Sequence, residues 1–448
     1  PTNEVIVMAV KIPKRVSSAL INSLSAGVVP RVGLEYIAVG RKDEIAALLQ
    51  DLENVAEGGA AFRFVIGRYG SGKSFMLQLL RNYAMDRDFV VADADLSPER
   101  RLAGTAGQGV GTYRELMRNL ATRTRPDGGA LPVILEKWIS SIQALIVKET
   151  GLLPADGAFA GAVEAKILEV INQMEGMVHG FDFANVLSAY WRGYQTGDDN
   201  LKDAALRWLR GEFTTKTEAR EALGVRVIID DDGWYDYVKL FGRFVAGIGY
   251  RGLIVLIDEA VNLYKIVHSV SREGNYEKLL AMFNDTMQGK AEHVAIVMGG
   301  TSQFLEDPRR GLYSYEALRS RLAESRFVKD GLRDTSGPIL RLQTLTHEEI
   351  YVLLTRLADV HTAHYGYAGQ LGHLDYQDFM EEAVRRLGAE ELLTPREVVR
   401  DFISLLNLVR QNTSVSFAQL VHGSEFQPTR PAQDPDSANN GQFAEFTL

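Results

Sequence analysis

The chain has 448 residues, of which 46% are hydrophobic and 24% charged, so it can build two or three domains with apolar cores and is not a disordered polypeptide. Its formal charge of −9, from 49 Lys and Arg against 58 Asp and Glu, argues against a generic electrostatic grip on nucleic acid. The absence of cysteine excludes disulfides and cysteine-ligated zinc. The N-terminal residues lack a signal-peptide pattern, and no apolar run reaches the roughly 20 residues of a membrane span. We therefore expect a cytoplasmic protein with no membrane partner.

The first predicted strand, "FRFVI", leads into a glycine-rich segment that is followed by a helix-like pattern from Phe75. The segment matches the phosphate-loop pattern G-x-x-x-x-G-K-[ST] at every position, through Gly67, Arg68, Tyr69, Gly70, Ser71, Gly72, Lys73 and Ser74. Glycines let backbone N–H groups turn toward a phosphate, and the start of a helix adds its positive dipole end. Lys73 suits the β- and γ-phosphates of a nucleotide, and the Ser74 hydroxyl suits Mg²⁺. The segment through Phe75 is therefore predicted to bind ATP with Mg²⁺.

A second strand is predicted in "DFVVADADL", and a long stretch with helical patterns, residues 102–223, follows it. The segment "GTAGQGVG" (104–111) is predicted to be a flexible hinge ahead of these helices. The helices are predicted over residues 113–122, 131–147, 160–177 and 183–194. Residues 102–223 are therefore interpreted as a helical insertion.

Two acidic segments compete as the carboxylate partner of the phosphate loop. In "VRVIIDDDGWYDY" the aromatic run after the acids resembles a helix start, with Asp231 or Asp232 as its N-cap. In "RGLIVLIDEAVNLY" five apolar residues precede Asp258 and Glu259. The second segment is preferred because Asp258 can reach Mg²⁺ while Glu259, the longer carboxylate, can polarise an attacking water.

A further strand is predicted over residues 293–298, after the strand that precedes Asp258, and it ends in Gly-Gly-Thr. Thr301 is either a polar side chain that contacts the attacking water or the γ-phosphate, or only a loop residue. The last predicted strand, residues 339–342, precedes a helix whose start carries a capping box from Thr346 to Glu349. The polar segment 423–442 is predicted to be an extended linker that ends in "FAEFTL", which is either a docking motif or a disordered terminus.

These elements predict an α/β fold of the P-loop NTPase class: a parallel sheet flanked by helices, with a helical insertion and an α-helical lid domain. The core is expected in residues 61–101 and 224–343, and the insertion in 102–223. The predicted remainder is an N-terminal segment on the adenine side, a lid and a flexible tail, in residues 1–60, 344–422 and 423–448.

The order of strand with phosphate loop, strand with Asp-Glu, strand with polar residue and helical lid resembles the AAA+ ATPases, and within them the origin-recognition type of initiator. In that resemblance Gly40 and Arg41 of "EYIAVGRKDEIAALLQDL" belong to the segment that lies over the adenine. Arg396 of "ELLTPREVVRDFISLL" corresponds to the sensor-2 arginine, against the γ-phosphate of its own subunit. "YSYEALRSRLAES" stands where the family carries its arginine finger, so Arg321 or Arg319 would reach a neighbouring subunit's nucleotide.

Several blocks, among them "LIDEAVNLYK" and "GGTSQFLEDPRRGLYSYEALRSRLAE", resemble the bacterial ATP-binding proteins of BREX-type phage-defence loci from about residue 11 to 411. This resemblance implies an ATPase that self-associates and works with a helicase or other defence proteins, as a motor, loader or remodeller of a DNA-acting complex. DNA would be contacted directly or through those partners. The alternative is an adaptor that stays ATP-bound with little turnover, whereas a small-molecule kinase is disfavoured by the order of Thr301, Arg321 and Arg396 and by the carboxylate of Glu259.

Overall fold

The computed structural model describes residues 12–324, 334–367, 371–388 and 394–430. The "FAEFTL" motif and most of the predicted linker therefore lie outside the described residues. The strands are β1 (Ala60–Ile66), β2 (Val90–Asp95), β3 (Leu253–Asp258), β4 (Val294–Gly300) and β5 (Ile339–Arg341). The helices are α1 (Lys14–Ser25), α2 (Lys42–Ala56), α3 (Lys73–Asp86), α4 (Gln108–Arg118), α5 (Leu131–Thr150), α6 (Phe159–Glu175), α7 (Gly180–Thr196), α8 (Asp199–Leu209), α9 (Lys216–Leu223), α10 (Trp234–Gly247), α11 (Val261–Tyr264), α12 (Ser269–Met287), α13 (Ser302–Glu306), α14 (Glu316–Arg321), α15 (His347–Tyr365), α16 (His373–Leu387), α17 (Pro395–Gln411) and α18 (Phe417–His422). None of these described helices is long and apolar enough to cross a bilayer.

Within the described residues the strands form one sheet in the order β2-β3-β4-β1-β5. β2, β3 and β4 pair in parallel, with Val90 beside Leu253 and Leu253 beside Val294. β3 is buried except at its last residue, and every residue of β4 is buried, as expected for strands with helices on both faces. Each predicted strand overlaps an observed one, so the predicted α/β class with a parallel sheet is confirmed.

The chain divides into two compact units. The larger unit contains the described residues of Ala47–Val65 and Leu80–Leu340, and the smaller unit those of Pro1–Ala46, Ile66–Leu79 and Arg341–Leu448. In the larger unit the helices predicted for residues 131–147, 160–177 and 183–194 are confirmed as α5, α6 and α7. The ring of Phe244 on α10 lies 5.3 Å from Trp138 of α5 and 6.2 Å from Phe183 of α7, so these helices share an aromatic core.

The predicted hinge at residues 104–111 is wrong. Gly107 is the N-cap of α4, with φ +80°, and Gln108 already begins the helix. The Asp231 carboxylate accepts hydrogen bonds from the backbone N–H groups of Gly107 (2.8 Å) and Val110 (2.9 Å). A distant side chain thus satisfies the first N–H groups of α4, and glycines that resemble a linker become the start of a helix.

The predicted N-cap of α10, Asp231 or Asp232, is also wrong. Gly233 occupies the N-cap position without a side-chain cap, while Asp231 is engaged at α4. Asp230, rather than Asp231 or Asp232, holds the turn by accepting from the Gly233 N–H at 2.8 Å. α10 nevertheless has a buried apolar face, formed by Trp234, Val238, Phe241, Val245 and the adjoining Ile248.

The smaller unit is helical around its own core. Leu20 of α1, Leu354 of α15, Phe379 of α16 and Phe402 of α17 are among its buried residues. The predicted capping box at the start of α15 is confirmed, since the Thr346 side chain accepts from the Glu349 N–H and the Glu349 carboxylate accepts from the Thr346 N–H. This box fixes where α15 begins, next to the segment that carries Gly40.

Candidate nucleotide site

The glycine-rich segment between β1 and α3 has the backbone of a phosphate loop. Gly70 and Gly72 have φ values of +78° and +96°, which residues with side chains rarely adopt. The Lys73 ammonium donates to the carbonyl oxygens of Gly67 (3.0 Å) and Arg68 (2.8 Å), and thus folds back over its own loop. A phosphate bound at the loop would compete with these carbonyls for the lysine.

Gly67 is required by close packing rather than by its backbone angles. A Cβ at this position would overlap the Ser71 hydroxyl and crowd the Leu342 side chain at 3.3 Å. Ser71 is buried, and its Oγ makes no hydrogen bond among the described residues. A buried hydroxyl without a partner is costly, so this atom fits a loop that receives a polar ligand.

The segment ahead of the loop reaches it through Arg41. The buried Arg41 guanidinium donates to the Ser71 carbonyl at 3.1 Å and lies 3.8 Å from the Glu44 carboxylate. Gly40, with φ +69°, precedes it, and a Cβ there would overlap the Glu349 carboxyl group. Gly40 and Arg41 therefore lie beside the phosphate loop within the smaller unit, and their predicted place over the adenine stays a prediction.

The N-terminus of α17 also lies against the loop. A Cβ at Gly70 would stand 3.1 Å from the Thr394 hydroxyl and 3.5 Å from the Glu397 carboxylate, which itself accepts a short hydrogen bond from Thr394. Arg396 donates from Nη1 to the Tyr69 hydroxyl at 2.9 Å, and its guanidinium carbon lies 5.7 Å from the Tyr69 ring centre. Arg396 thus contacts the phosphate loop, and its predicted role against the γ-phosphate stays a prediction.

In the larger unit, Asp258 is the last residue of β3 and Glu259 follows it. Glu259 has φ +57°, a left-handed conformation that costs a residue with a side chain about 1–2 kcal/mol. Its N–H donates to the Asp258 carboxylate at 2.8 Å, so the turn is closed locally. Non-glycine residues in this conformation cluster at functional sites. The alternative acidic segment at residues 230–232 is not in a strand.

Thr301 stands at the end of the neighbouring strand β4. The Ala260 N–H donates to the Gly299 carbonyl at 3.0 Å, which joins the turn after Glu259 to the end of β4. The buried Thr301 hydroxyl caps α13 by accepting from the Phe304 N–H at 3.2 Å. Its acceptor role is thus structural, and its hydroxyl hydrogen is still able to donate.

Asp95 is a further candidate that the sequence did not predict. It ends β2 and stands beside Asp258 in the parallel register. Partial burial, followed by the charges of the Asp258 and Asp93 carboxylates, raises the pKa of Asp95. The signal was present in the predicted strand "DFVVADADL", which ends in an acid as the Asp258 strand does, but no pattern within the strand revealed which strand would be its neighbour.

The two finger candidates lie at the end of α14 in the larger unit. The Arg321 guanidinium donates to the Asn284 side chain at 2.8 Å and to the Ala317 carbonyl at 2.9 Å. Arg319 lies 3.9 Å from the Glu316 carboxylate. Both side chains are exposed, so both are available at the surface.

The predicted site residues therefore form two groups, each inside one unit. Lys73, Arg41 and Arg396 gather around the loop, whereas Asp258, Glu259 and Thr301 follow neighbouring strands of the sheet. Because these strands are parallel, their carboxyl ends meet at one edge. That Ser74 and Asp258 hold one Mg²⁺, and that both groups serve one nucleotide, stay predictions.

A strand, a phosphate-loop sequence and a helix in an α/β sheet of this order are consistent with the P-loop class of nucleotide-binding proteins. A family model described as "BREX system ATP-binding protein BrxC/D" matches residues 12–425. The chain belongs to this family, and ATP is accordingly its ligand. A search among curated proteins found no match.

Proposed function

We propose that the protein is a Mg²⁺-dependent ATPase that acts as a motor, loader or remodeller for a DNA-acting complex of a BREX defence system. Lys73 and Arg396 bind the phosphates, and Glu259 accepts a proton from the water that attacks the γ-phosphorus. Ser74 and Asp258 supply the oxygen ligands that Mg²⁺ prefers, and the metal would neutralise charge on the phosphates. Thr301 orients the water or the γ-phosphate through its hydroxyl hydrogen.

The observation that carries hydrolysis, rather than binding alone, is the left-handed backbone of Glu259. A helix-forming residue is held in an unfavourable conformation immediately after Asp258, and the next residue is tied to the end of β4. The surrounding structure holds the Glu259 backbone in this conformation despite its cost, and the backbone sets the direction in which the Glu259 carboxylate leaves the chain. A general base requires such a fixed direction.

Two substitutions separate binding from turnover. Lys73→Ala should abolish ATP binding, while Glu259→Gln should retain ATP and lose hydrolysis by at least about 100-fold, the usual scale of a general base. Glu273→Gln, at an exposed position of α12, is the matched control. Nucleotide binding and phosphate release are measured in the same preparations. Wild-type turnover in Glu259→Gln would refute the assignment of the base.

Hydrolysis across a subunit interface requires self-association and a finger in trans. Exposure of Arg321 at the end of α14 supports it as that finger, with Arg319 as the alternative. Arg321→Ala subunits mixed with Lys73→Ala subunits should recover activity, since each defect lies at a different part of a shared site. If Arg321→Ala lowers activity as much in a dilute monomer as in the associated protein, the trans role is contradicted.

A nucleotide-gated adaptor with little turnover is the second candidate. It is favoured by the contacts of Thr394, Arg396 and Glu397 with the loop, because these contacts give a route by which α17 can sense a nucleotide bound at the loop. Phosphate release with and without duplex or single-stranded DNA separates the two functions. Strong stimulation by DNA supports the ATPase, whereas tight retention of ATP unaffected by DNA supports the adaptor.

A further inference from the structure

The phosphate-loop pattern requires no particular side chain at position 69, yet this chain has a tyrosine there. The loop binds phosphate through its backbone N–H groups, for which a large side chain at this position is unnecessary. Tyr69 does not serve the hydrophobic core either, because 43% of its surface is exposed. Its side chain must therefore be explained by what it contacts.

Tyr69 contacts Arg396 in two ways. Its hydroxyl accepts from Arg396 Nη1 at 2.9 Å, and its ring lies 5.7 Å from the guanidinium carbon, within the range of a cation–π contact. Arg396 also lies near the left-handed turn after α1, where a Cβ at Gly27 would lie 3.6 Å from Nε. Arg396 is an exposed residue, and the Tyr69 side chain is the group that holds its guanidinium by a hydrogen bond and a ring contact.

The backbone brings the two residues together. Gly70, with φ +78°, has no side chain to keep Thr394 away, so the first turn of α17 can approach the loop. Arg396 stands in that first turn and Tyr69 immediately precedes Gly70. Gly70 therefore permits α17 to approach the loop, and Tyr69 determines the position of the Arg396 guanidinium.

We propose that Tyr69 is a positioning residue that holds the Arg396 guanidinium at the phosphate loop, ready for the γ-phosphate. The inference rests on the proposed function, in which Arg396 recognises that phosphate. A long arginine side chain in water loses much of its rotamer freedom on binding. Holding it in advance reduces that cost only for a ligand that has a γ-phosphate.

The test is a double-mutant cycle on the full chain, with affinities for ATP and ADP measured in the presence of Mg²⁺. Tyr69→Phe keeps the ring and removes the hydrogen bond, so ATP affinity should fall about three- to tenfold, the usual effect of one hydrogen bond, with ADP affinity unchanged. Adding Tyr69→Phe to Arg396→Ala should have no further effect on ATP affinity. Tyr194→Phe, at a partly exposed tyrosine of α7, is the control and should change neither affinity.

Equal losses for ATP and ADP in Tyr69→Phe, or effects of Tyr69→Phe and Arg396→Ala that simply add, would overturn the inference. Lys73→Ala distinguishes this failure from failure of the proposed function. If Lys73→Ala abolishes nucleotide binding while Tyr69→Phe leaves the ratio of ATP to ADP affinity unchanged, only the positioning role is lost. If Lys73→Ala binds ATP normally, the proposed function fails, whatever the result for Tyr69→Phe.

Discussion

Gly40→Ala should destabilise the smaller unit by about 2 kcal/mol, for two reasons that the structure separates. Alanine at φ +69° costs about 1–2 kcal/mol, offset by about 0.5–1 kcal/mol because alanine restricts the unfolded chain. Its Cβ would also overlap the Glu349 carboxyl group and expel it from the capping box with Thr346. Loss of a cap costs about 1 kcal/mol.

Gly366→Ala is a matched control for Gly40→Ala. Gly366 ends α15 with the same φ of +69°, but a Cβ there would meet nothing within 4 Å. Gly366→Ala therefore reports the backbone cost alone, and Gly40→Ala should exceed it by about 1 kcal/mol, the contribution of the cap. Urea unfolding gives the two free energies, and hydrogen exchange at the first turn of α15 should increase only in Gly40→Ala.

The double substitution Gly40→Ala with Glu349→Ala removes the overlapping group, so its cost should be less than the sum of the single costs. Gly40→Ala should also weaken ATP binding, because Arg41 follows it and donates to the Ser71 carbonyl of the loop. The reasoning is refuted if Gly40→Ala is no less stable than Gly366→Ala, or if the two single costs add in the double variant.

Three further outcomes are expected. Glu259→Gly should lose hydrolysis while raising the free energy of unfolding by about 1 kcal/mol through relief of the left-handed backbone, whereas Glu259→Gln should not be stabilised. Asp95→Asn should raise the melting temperature of the metal-free protein at pH 7, because folding raises the pKa of Asp95 and so disfavours its ionised form. This gain in melting temperature should shrink as the pH falls toward 3.8, because the carboxyl group then becomes protonated in both the folded and the unfolded state. A gain that does not change with pH would contradict this cause. Burial lowers the pKa of His361 below 6.5, so the smaller unit should lose stability as the pH falls through 6.5, and His361→Gln should flatten that dependence in melting curves between pH 5 and 8.

Local patterns in the sequence determined much of the candidate site. The phosphate loop is contiguous, so its glycines, Lys73 and Ser74 are identified from spacing alone. The strand before Asp258 is a run of apolar residues, and the capping box at Thr346 joins groups three residues apart. Each of these features depends on neighbours along the chain, for which residue type and period are sufficient.

Contacts between distant parts of the chain decided the rest. Asp231 caps α4 rather than α10, because its carboxylate accepts a hydrogen bond from the N–H of Gly107, more than 120 residues away. Arg396 and Tyr69 meet across 327 positions of sequence, and the register of two strands alone brings Asp95 beside Asp258. The left-handed conformation of Glu259 opposes its own local preference and persists only because the surrounding sheet holds it. Patterns along a chain record local preference, whereas these features depend on which distant groups packing brings within hydrogen-bonding distance.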